Sequence, residues 1–504
     1  MTLAAGRTVV WSDQAPASFH YAALFAALAA LVMLWRFVAL SQLNISLHVD
    51  EAQYWAWSRD LQWGYYSKPP LIAALIAAST ALFGDGVVGV KAVSMLMYPL
   101  AAAAVFLLAA RLFDARVAFW AATIFLLSLL SMWLGMAATT DAPLLAAWAV
   151  SLVAYQRAIE TDRWRDWLLL GAALGLGMLA KYTMAVFVLG VALHMAVDPR
   201  ARSRLRSTRL YAAGLVAVAC AVPNWIWNAQ NGFATLGHTA DITLRQSGRL
   251  GNGNLLETIA AQGLIFGPLL GLLLVGLAFS VRQWWSDRRY RLLLAFSIPL
   301  WVIVTLQSLR ADANANWAAP AMLTASIAMA AWATARWSTR TSRAVLTTAL
   351  ALNVALAAAL YHWPAVARSF NTQKWGDPYQ RMRGWDQVAE RVRPFFMADR
   401  DLLLLADNRT VLAHLAYELR DLSPRLVRWN PRHEVTDHYQ LVTHLEDKVG
   451  SNALLLIDGD ATPITRHFRR AQQLTTIDVP LSRQHRLHYD VWRLDGFAGY
   501  ESQR

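Results

Sequence analysis

A single cysteine, Cys220, is all the chain has, and it lies inside an apolar run. A disulfide within the chain is therefore excluded, and a cysteine-based metal centre lacks ligands. Charge is scarce too. Asp, Glu, Lys and Arg make up 16% of the 504 residues, against about 25% in ordinary soluble domains. With 57% hydrophobic residues, that shortfall argues for a chain solvated largely by lipid. Lysine is nearly absent: Lys68, Lys91, Lys181, Lys374 and Lys448 are the complete set, and arginine carries the remaining positive charge. No Gly-rich phosphate loop, internal repeat or low-complexity tract is visible, so nucleotide chemistry has no obvious home. The N-terminus is a poor secretory signal. Arg7 is its only early cation, and Tyr21–Leu40 is long for a cleaved apolar core, so that run is expected to stay as a helix.

What is present is a series of long apolar runs. A spanning helix needs about 20 mainly apolar residues. Residues 20–40, 86–110, 115–136, 141–157, 165–180, 182–198, 209–228, 255–281, 290–307, 317–335 and 343–361 meet or approach that length, which predicts about eleven spans. Residues 70–83 are too short to cross and read as a helix lying at the interface or re-entering the membrane. With the N-terminus in the cytoplasm, the inner loops gather the cations, most densely at Arg200, Arg202, Arg204, Arg206 and Arg209. The positive-inside rule supports that orientation. The net charge of +13 is thus topological, with anionic lipid as its partner rather than nucleic acid. After Tyr361 the composition turns polar. Short apolar stretches at Leu402–Leu405 and Leu454–Ile457, a helix over Val411–Leu419 and an alternating end at His488–Leu494 predict a soluble α/β domain over 362–504, on the outer side.

That orientation brings the polar outliers to one face. His48 to Leu71 packs Asp50, Glu51, Arg59, Lys68 and several aromatic residues into the first outer loop. Asp141 begins a later span, Lys181 lies at a hinge, Asn224 and Asn228 end another, and His238, Arg310, Asp312 and Asn316 follow in outer loops. Each has a bland reading. Asp141 could cap its helix; Lys68 and Lys91 could snorkel; Asn224 and Asn228 could pack helices together; His48 and His238 could be structural. Together they weigh more, because ionisable groups at membrane depth are costly and usually mark a functional path. A carboxylate there can act as general base, and cations can stabilise a departing phosphate.

The run Asp50-Glu51-Ala52-Gln53-Tyr54-Trp55, with Trp63-Gly64-Tyr65-Tyr66-Ser67-Lys68-Pro69-Pro70-Leu71, resembles the bacterial protein-mannosyltransferase-like family of integral-membrane glycosyltransferases. Thr140-Asp141-Ala142-Pro143-Leu144, the Gly175–Lys181 stretch, Trp227-Asn228 and Asn316–Pro320 are similar to further motifs of that group. The resemblance implies an α-helical polytopic membrane protein of the type C glycosyltransferase fold, with interfacial helices in its outer loops and the C-terminal α/β domain in the periplasm of a bacterial inner-membrane enzyme. It implies a polyprenyl-phosphate sugar donor and an acceptor such as lipid A, lipopolysaccharide core, another glycan or a protein, with inversion at the sugar. By resemblance Asp50 is the general base, Glu51 is assisting or structural, and Asp141 orients substrate or base. Lys68, with Lys181 or Arg310, would hold the donor phosphate. Tyr54, Arg59, Tyr65, Tyr66, Asn228 and His238 would line the substrate site. No cofactor is expected. His48, Glu51 and His238 could meet around a divalent metal, but no paired ligand spacing supports one. Ala52-Gln53 departs from the sequence that follows Asp-Glu in the lipid A aminoarabinose branch, which leaves sugar and acceptor open. A lipid flippase or transporter is the competing class; it would need ionisable groups near the midplane. A scaffold whose C-terminal domain binds a partner ranks behind both.

Overall fold

The structure is a computed structural model and describes residues 15–244, 255–279, 284–309, 313–370, 376–482 and 485–500. Among the described residues, every run expected to span contains helix. Phe19–Gln42, Val87–Leu112, Asp141–Thr161, Thr208–Gln230, Arg288–Ser308 and Arg340–Tyr361 are each long and apolar enough to cross a bilayer alone. Two more runs qualify only as bent pairs: Tyr182–Val197 with Pro199–Arg206, turned by 104°, and Leu255–Leu264 with Pro268–Ala278, turned by 110°. The other three expected runs hold the helices Ala115–Leu126, Trp164–Ala180 and Ala321–Ala335, of 12, 17 and 15 residues. At about 1.5 Å per residue these fall short of a hydrocarbon layer about 30 Å thick. Length and composition therefore establish six to eight spans among the described residues; eleven is not established.

The breaks have local causes. In the 115–136 run, Ser128 is extended and its hydroxyl accepts from the Ser131 amide, restarting a short helix at Leu129–Leu134. In the 255–281 run, Gly267 has φ +117°, and Pro268 opens the next helix. A side chain at Gly267 would strike Asn353 within 1.8 Å. The buried Asn353 amide donates to Leu127 O and to Phe266 O. One side chain thus mends two helix breaks where water is scarce, as non-helical backbone at membrane depth requires.

The helices that position the site are α1 (Ala15–Gln42), α2 (Val49–Arg59), α3 (Leu71–Phe83), α4 (Val87–Leu112), α5 (Ala115–Leu126), α6 (Leu129–Leu134), α7 (Asp141–Thr161) and α8 (Trp164–Ala180). The most apolar window of α7 is 78% buried, against 22% for Thr208–Gln230. So α7 is the centre of the bundle, and it begins with Asp141. The 70–83 run forms α3, which ends at Gly84 with φ +83°. Gly89 of α4 packs so closely on the Gly84 carbonyl that a Cβ there would lie 1.8 Å from it.

The C-terminal part carries a five-stranded sheet in the order β2-β1-β3-β5-β4. Its strands are β1 (Leu403–Ala406), β2 (Arg425–Arg428), β3 (Ala453–Ile457), β4 (Phe468–Pro480) and β5 (Arg486–Phe497). β1 runs parallel to β2 and β3, and β5 runs antiparallel to β3 and β4. β1 and β3 are fully buried apolar strands and coincide with the two expected from sequence. The helix expected at Val411–Leu419 is Arg409–Glu418, started by the Asn408 side chain. β4 escaped notice because it is a largely exposed edge strand, rich in Arg, Gln and Thr. This part is joined to the bundle by a shared core: Leu47, Trp55 and Ile72 pack in one cluster with Val388, Leu412 and Leu454.

Candidate active site

Asp50 and Glu51 are neighbours in sequence with different partners in space. Consecutive helical residues point about 100° apart. His48 caps α2, its ring accepting from the Asp50 amide, and the Glu51 carboxylate reaches back to the His48 amide, completing a capping box. Glu51 also accepts from the Ala138 amide at 2.6 Å and pairs with Lys91 of α4. Both side chains of that pair are almost wholly buried. All of Glu51's bonds are thus structural: it ties α2 to α4 and to the turn before α7. These contacts fit the structural alternative for Glu51, and they replace the reading of Lys91 as a snorkelling side chain.

Asp50 and Glu51 both border a cavity of about 400 Å³, with His48, Tyr54, Thr139, Tyr361 and Arg381 among its other lining residues, but Asp50 has different partners. Its side chain is 46% exposed and pairs with Arg409 at 2.9 Å. The His48 ring nitrogen lies 3.9 Å from the other carboxylate oxygen. Arg409 also donates to the buried Gln53 at 2.6 Å. It comes from the C-terminal part, 359 residues along the chain, and carried no signal in the sequence beyond following a helix-capping Asn.

A second cavity of about 240 Å³ is lined by Lys68, Lys181, Tyr182, His238 and Trp317, and continues along apolar Leu300, Ile303 and Val304. Lys181 pairs with Asp141 at 2.8 Å, and Asn316 donates to the other Asp141 oxygen at 2.8 Å. Thr140 rather than Asp141 occupies the capping position of α7 and makes no side-chain cap, so the capping reading fails. Lys68 forms no side-chain hydrogen bond or ion pair among the described residues. Burial holds its ammonium pKa below the ordinary lysine range, and the neighbouring Lys181 adds to that; Asp50 and Asp141 oppose it. Lys68 is therefore a cation set among charges and left without a dedicated partner. Burial, then the nearby Lys68, pushes His238 down to about 4, so that ring is neutral at pH 7.

The other expected substrate contacts divide. Tyr54 lines the Asp50 cavity. Tyr66 stands at its own position against His238, ring centres 4.9 Å apart. Tyr65 is buried, stacked on Trp57 at 4.4 Å, with its hydroxyl donating to the Trp57 carbonyl. Asn228 is fully buried and bonded to Tyr182, Asn224 and Thr235. Arg59 is exposed, 3.7 Å from Asp85 at the far end of α2. Tyr65, Asn228 and Arg59 therefore hold the frame rather than the cavities. Arg310 and Asp312 lie outside the described residues. No group of three or more His, Cys, Asp or Glu placed to hold a metal occurs among the described residues.

Residues 67–227 match the family described as dolichyl-phosphate-mannose-protein mannosyltransferase. Over 439 residues the chain is 30% identical to the lipid A galacturonosyltransferase RgtD of Rhizobium johnstonii, covering 86% of this chain and 90% of that protein. The chain belongs to this glycosyltransferase family. Membership makes it a transferase. The fold agrees. ArnT from Cupriavidus metallidurans, crystallised with undecaprenyl phosphate, superposes with a TM-score of 0.65 at 15% identity, covering 94% of this chain and 98% of ArnT. The apo form of ArnT gives 0.62 at 16% identity, covering 97% of this chain and 100% of ArnT. Like these relatives, this glycosyltransferase is a multi-pass membrane protein.

Proposed function

We propose that the protein transfers a sugar from a polyprenyl-phosphate donor to a hydroxyl of a lipid or glycan acceptor, lipid A first among them, on the outer face of a bacterial inner membrane. Residues 1–361 form the membrane-embedded transferase, with a cytoplasmic N-terminus, and 362–504 form a periplasmic α/β domain. The observation that carries this reading is the division of labour around Asp141. Asp50 lies in one cavity, and Lys68 and Lys181 lie on the other. The apolar extension along Leu300, Ile303 and Val304 suits the start of a prenyl chain, and the relative solved with undecaprenyl phosphate supports that donor.

The chemistry is a displacement. The acceptor oxygen forms a bond to the anomeric carbon, its proton passes to Asp50, and the bond from that carbon to the phosphate oxygen breaks. The electron pair leaves with polyprenyl phosphate, whose growing charge meets Lys68 and Lys181. Direct attack inverts the anomeric centre. A placed base contributes about 10²–10⁴-fold, and holding both substrates in line supplies roughly 7–11 kcal/mol of the barrier. Neither a nucleotide nor a metal has a role in this scheme. The name of the 30%-identical relative makes galacturonosyl transfer to lipid A the first assignment to test. The test is mass spectrometry of envelope lipids from cells with and without the gene. A uronic acid missing from lipid A in the deletion strain is expected, and identical lipid and glycan profiles in the two strains would overturn the proposal.

A further inference from the structure

Among the described residues, Arg409 is the one from the C-terminal part that pairs with the Asp50 carboxylate, and three features of its setting belong together. The first is where the fold puts it. β1 lies between β2 and β3, parallel to both, and Arg409 opens the helix that follows β1 at its carboxyl end. In open α/β sheets that is the switch point, where the chain leaves to opposite sides and ligands are bound. Here the helix Arg409–Glu418 that leaves this end packs on α2.

The second feature is how Arg409 is held. One terminal nitrogen is fixed by Gln53, itself 2% exposed, and the other reaches Asp50. The Gln53 contact is an anchor. The Asp50 contact is exchangeable, because the two side chains are 39% and 46% exposed and ion pairs that open to water contribute little net stability. A planar guanidinium can keep the first bond and turn the second to another oxyanion.

The third feature is the local charge balance. Lys91 cancels Glu51, so Asp50 is the only other carboxylate on the cavity. Arg381 lines the same cavity and is exposed, with no hydrogen bond or ion pair among the described residues. Asp50 is matched by Arg409, which reaches it at 2.9 Å, and Arg381 on the cavity wall has no acidic partner among the described residues, which leaves room for one more negative charge. A general base also has to be released from its arginine before it can take a proton.

We infer that Arg409 is a specificity-determining residue that reads an anionic group on the substrate entering the Asp50 cavity, either a sugar carboxylate or an acceptor phosphate, and gives up Asp50 as it does so. This rests on the transferase reading above and deepens it. The substrate's charge exchanges for that of Asp50 on the same guanidinium, so a neutral substrate leaves the base paired and a charged one frees it.

The test uses the full-length protein in proteoliposomes. Polyprenyl-phosphate donors carrying a uronic acid or the matching neutral hexose are each combined with a phosphorylated or a dephosphorylated lipid A acceptor. Wild type, Arg409→Lys and Arg409→Ala are compared by the ratio of kcat/KM for charged over neutral substrate. That ratio does not depend on how much of a variant folds. A wild-type preference on the order of tenfold or more in one arm is expected, since charge-assisted pairs are the strong ones. Arg409→Ala should collapse it towards one, and Arg409→Lys should restore part of it. The arm that shows the effect names the carboxylate or the phosphate. Equal losses on all four combinations, or no wild-type preference in either arm, would overturn the inference while leaving the transferase reading intact. A wild type inactive with every donor would overturn that reading and this inference with it.

Discussion

Replacing Glu51 by Gln separates structure from chemistry at the pair of acids that begins α2. The Glu51 carboxylate accepts from three donors: the His48 amide, the Ala138 amide and the Lys91 ammonium. A Gln side chain offers one acceptor oxygen and an NH₂ group, so at least one of those donors would face another donor. Lys91, 0% exposed, would also lose its counter-charge. Removing one partner of a buried ion pair costs about 3–5 kcal/mol, most of it for the charge left behind. The double change Glu51→Gln with Lys91→Met removes both charges and should recover most of that cost. The assay is thermal unfolding followed by tryptophan fluorescence in detergent, beside initial transfer rates per folded protein. The single variant should melt well below wild type and the double variant between the two. The folded fraction of the double variant should still transfer sugar. A Glu51→Gln protein that melts with wild type yet loses transfer by about 100-fold would refute the structural assignment and return Glu51 to the chemistry.

Two further expectations concern pH. Because burial and Lys181 hold the Lys68 pKa below the usual lysine range, its positive charge is lost at a lower pH than an ordinary lysine's. The donor kcat/KM should therefore fall on the alkaline side, and Lys68→Arg, which stays charged, should move that limb upward. An unchanged limb would remove Lys68 from the phosphate site. His414 is stacked on Trp385 with ring centres 4.0 Å apart, and burial lowers its pKa to about 3. An unfolded histidine titrates near 6.5, so between these values the unfolded chain binds the extra proton. The stability His414 contributes is full above about pH 6.5 and is lost as pH falls towards 3. Fluorescence-detected unfolding of wild type and His414→Gln should show a weaker acid dependence in the variant; parallel curves would contradict this.

The sequence was most legible where one physical cause dominates. Long apolar runs became helices, and the two buried strands β1 and β3 stood out as continuous aliphatic stretches. Helix breaks were harder, because what permits them is remote: Asn353 satisfies carbonyls at Leu127 and Phe266, far from it in the chain. Asp50 and Glu51 looked like a working pair because sequence records adjacency and not direction. Both border the cavity, but the capping of α2 and Lys91 hold Glu51 while Asp50 pairs with Arg409. Lys91 could be placed only once α4 was seen to pass behind α2. Arg409 was illegible for the same reason on a larger scale. It acquires meaning from the packing of the helix Arg409–Glu418 on α2, and no local pattern announces such a contact.

In the proposed mechanism Asp50 accepts the acceptor's proton while the rest of the site binds and orients. The most direct measurement is single-turnover transfer from a radiolabelled polyprenyl-phosphate sugar by purified Asp50→Asn protein, with its melting point matched to wild type. Asn fills the same space and still offers an oxygen to Arg409, but it cannot take a proton. The expected result is a well-folded protein that binds donor and transfers at least about 100-fold more slowly, the loss that removal of a general base produces. Transfer at the wild-type rate by that variant would contradict the claim.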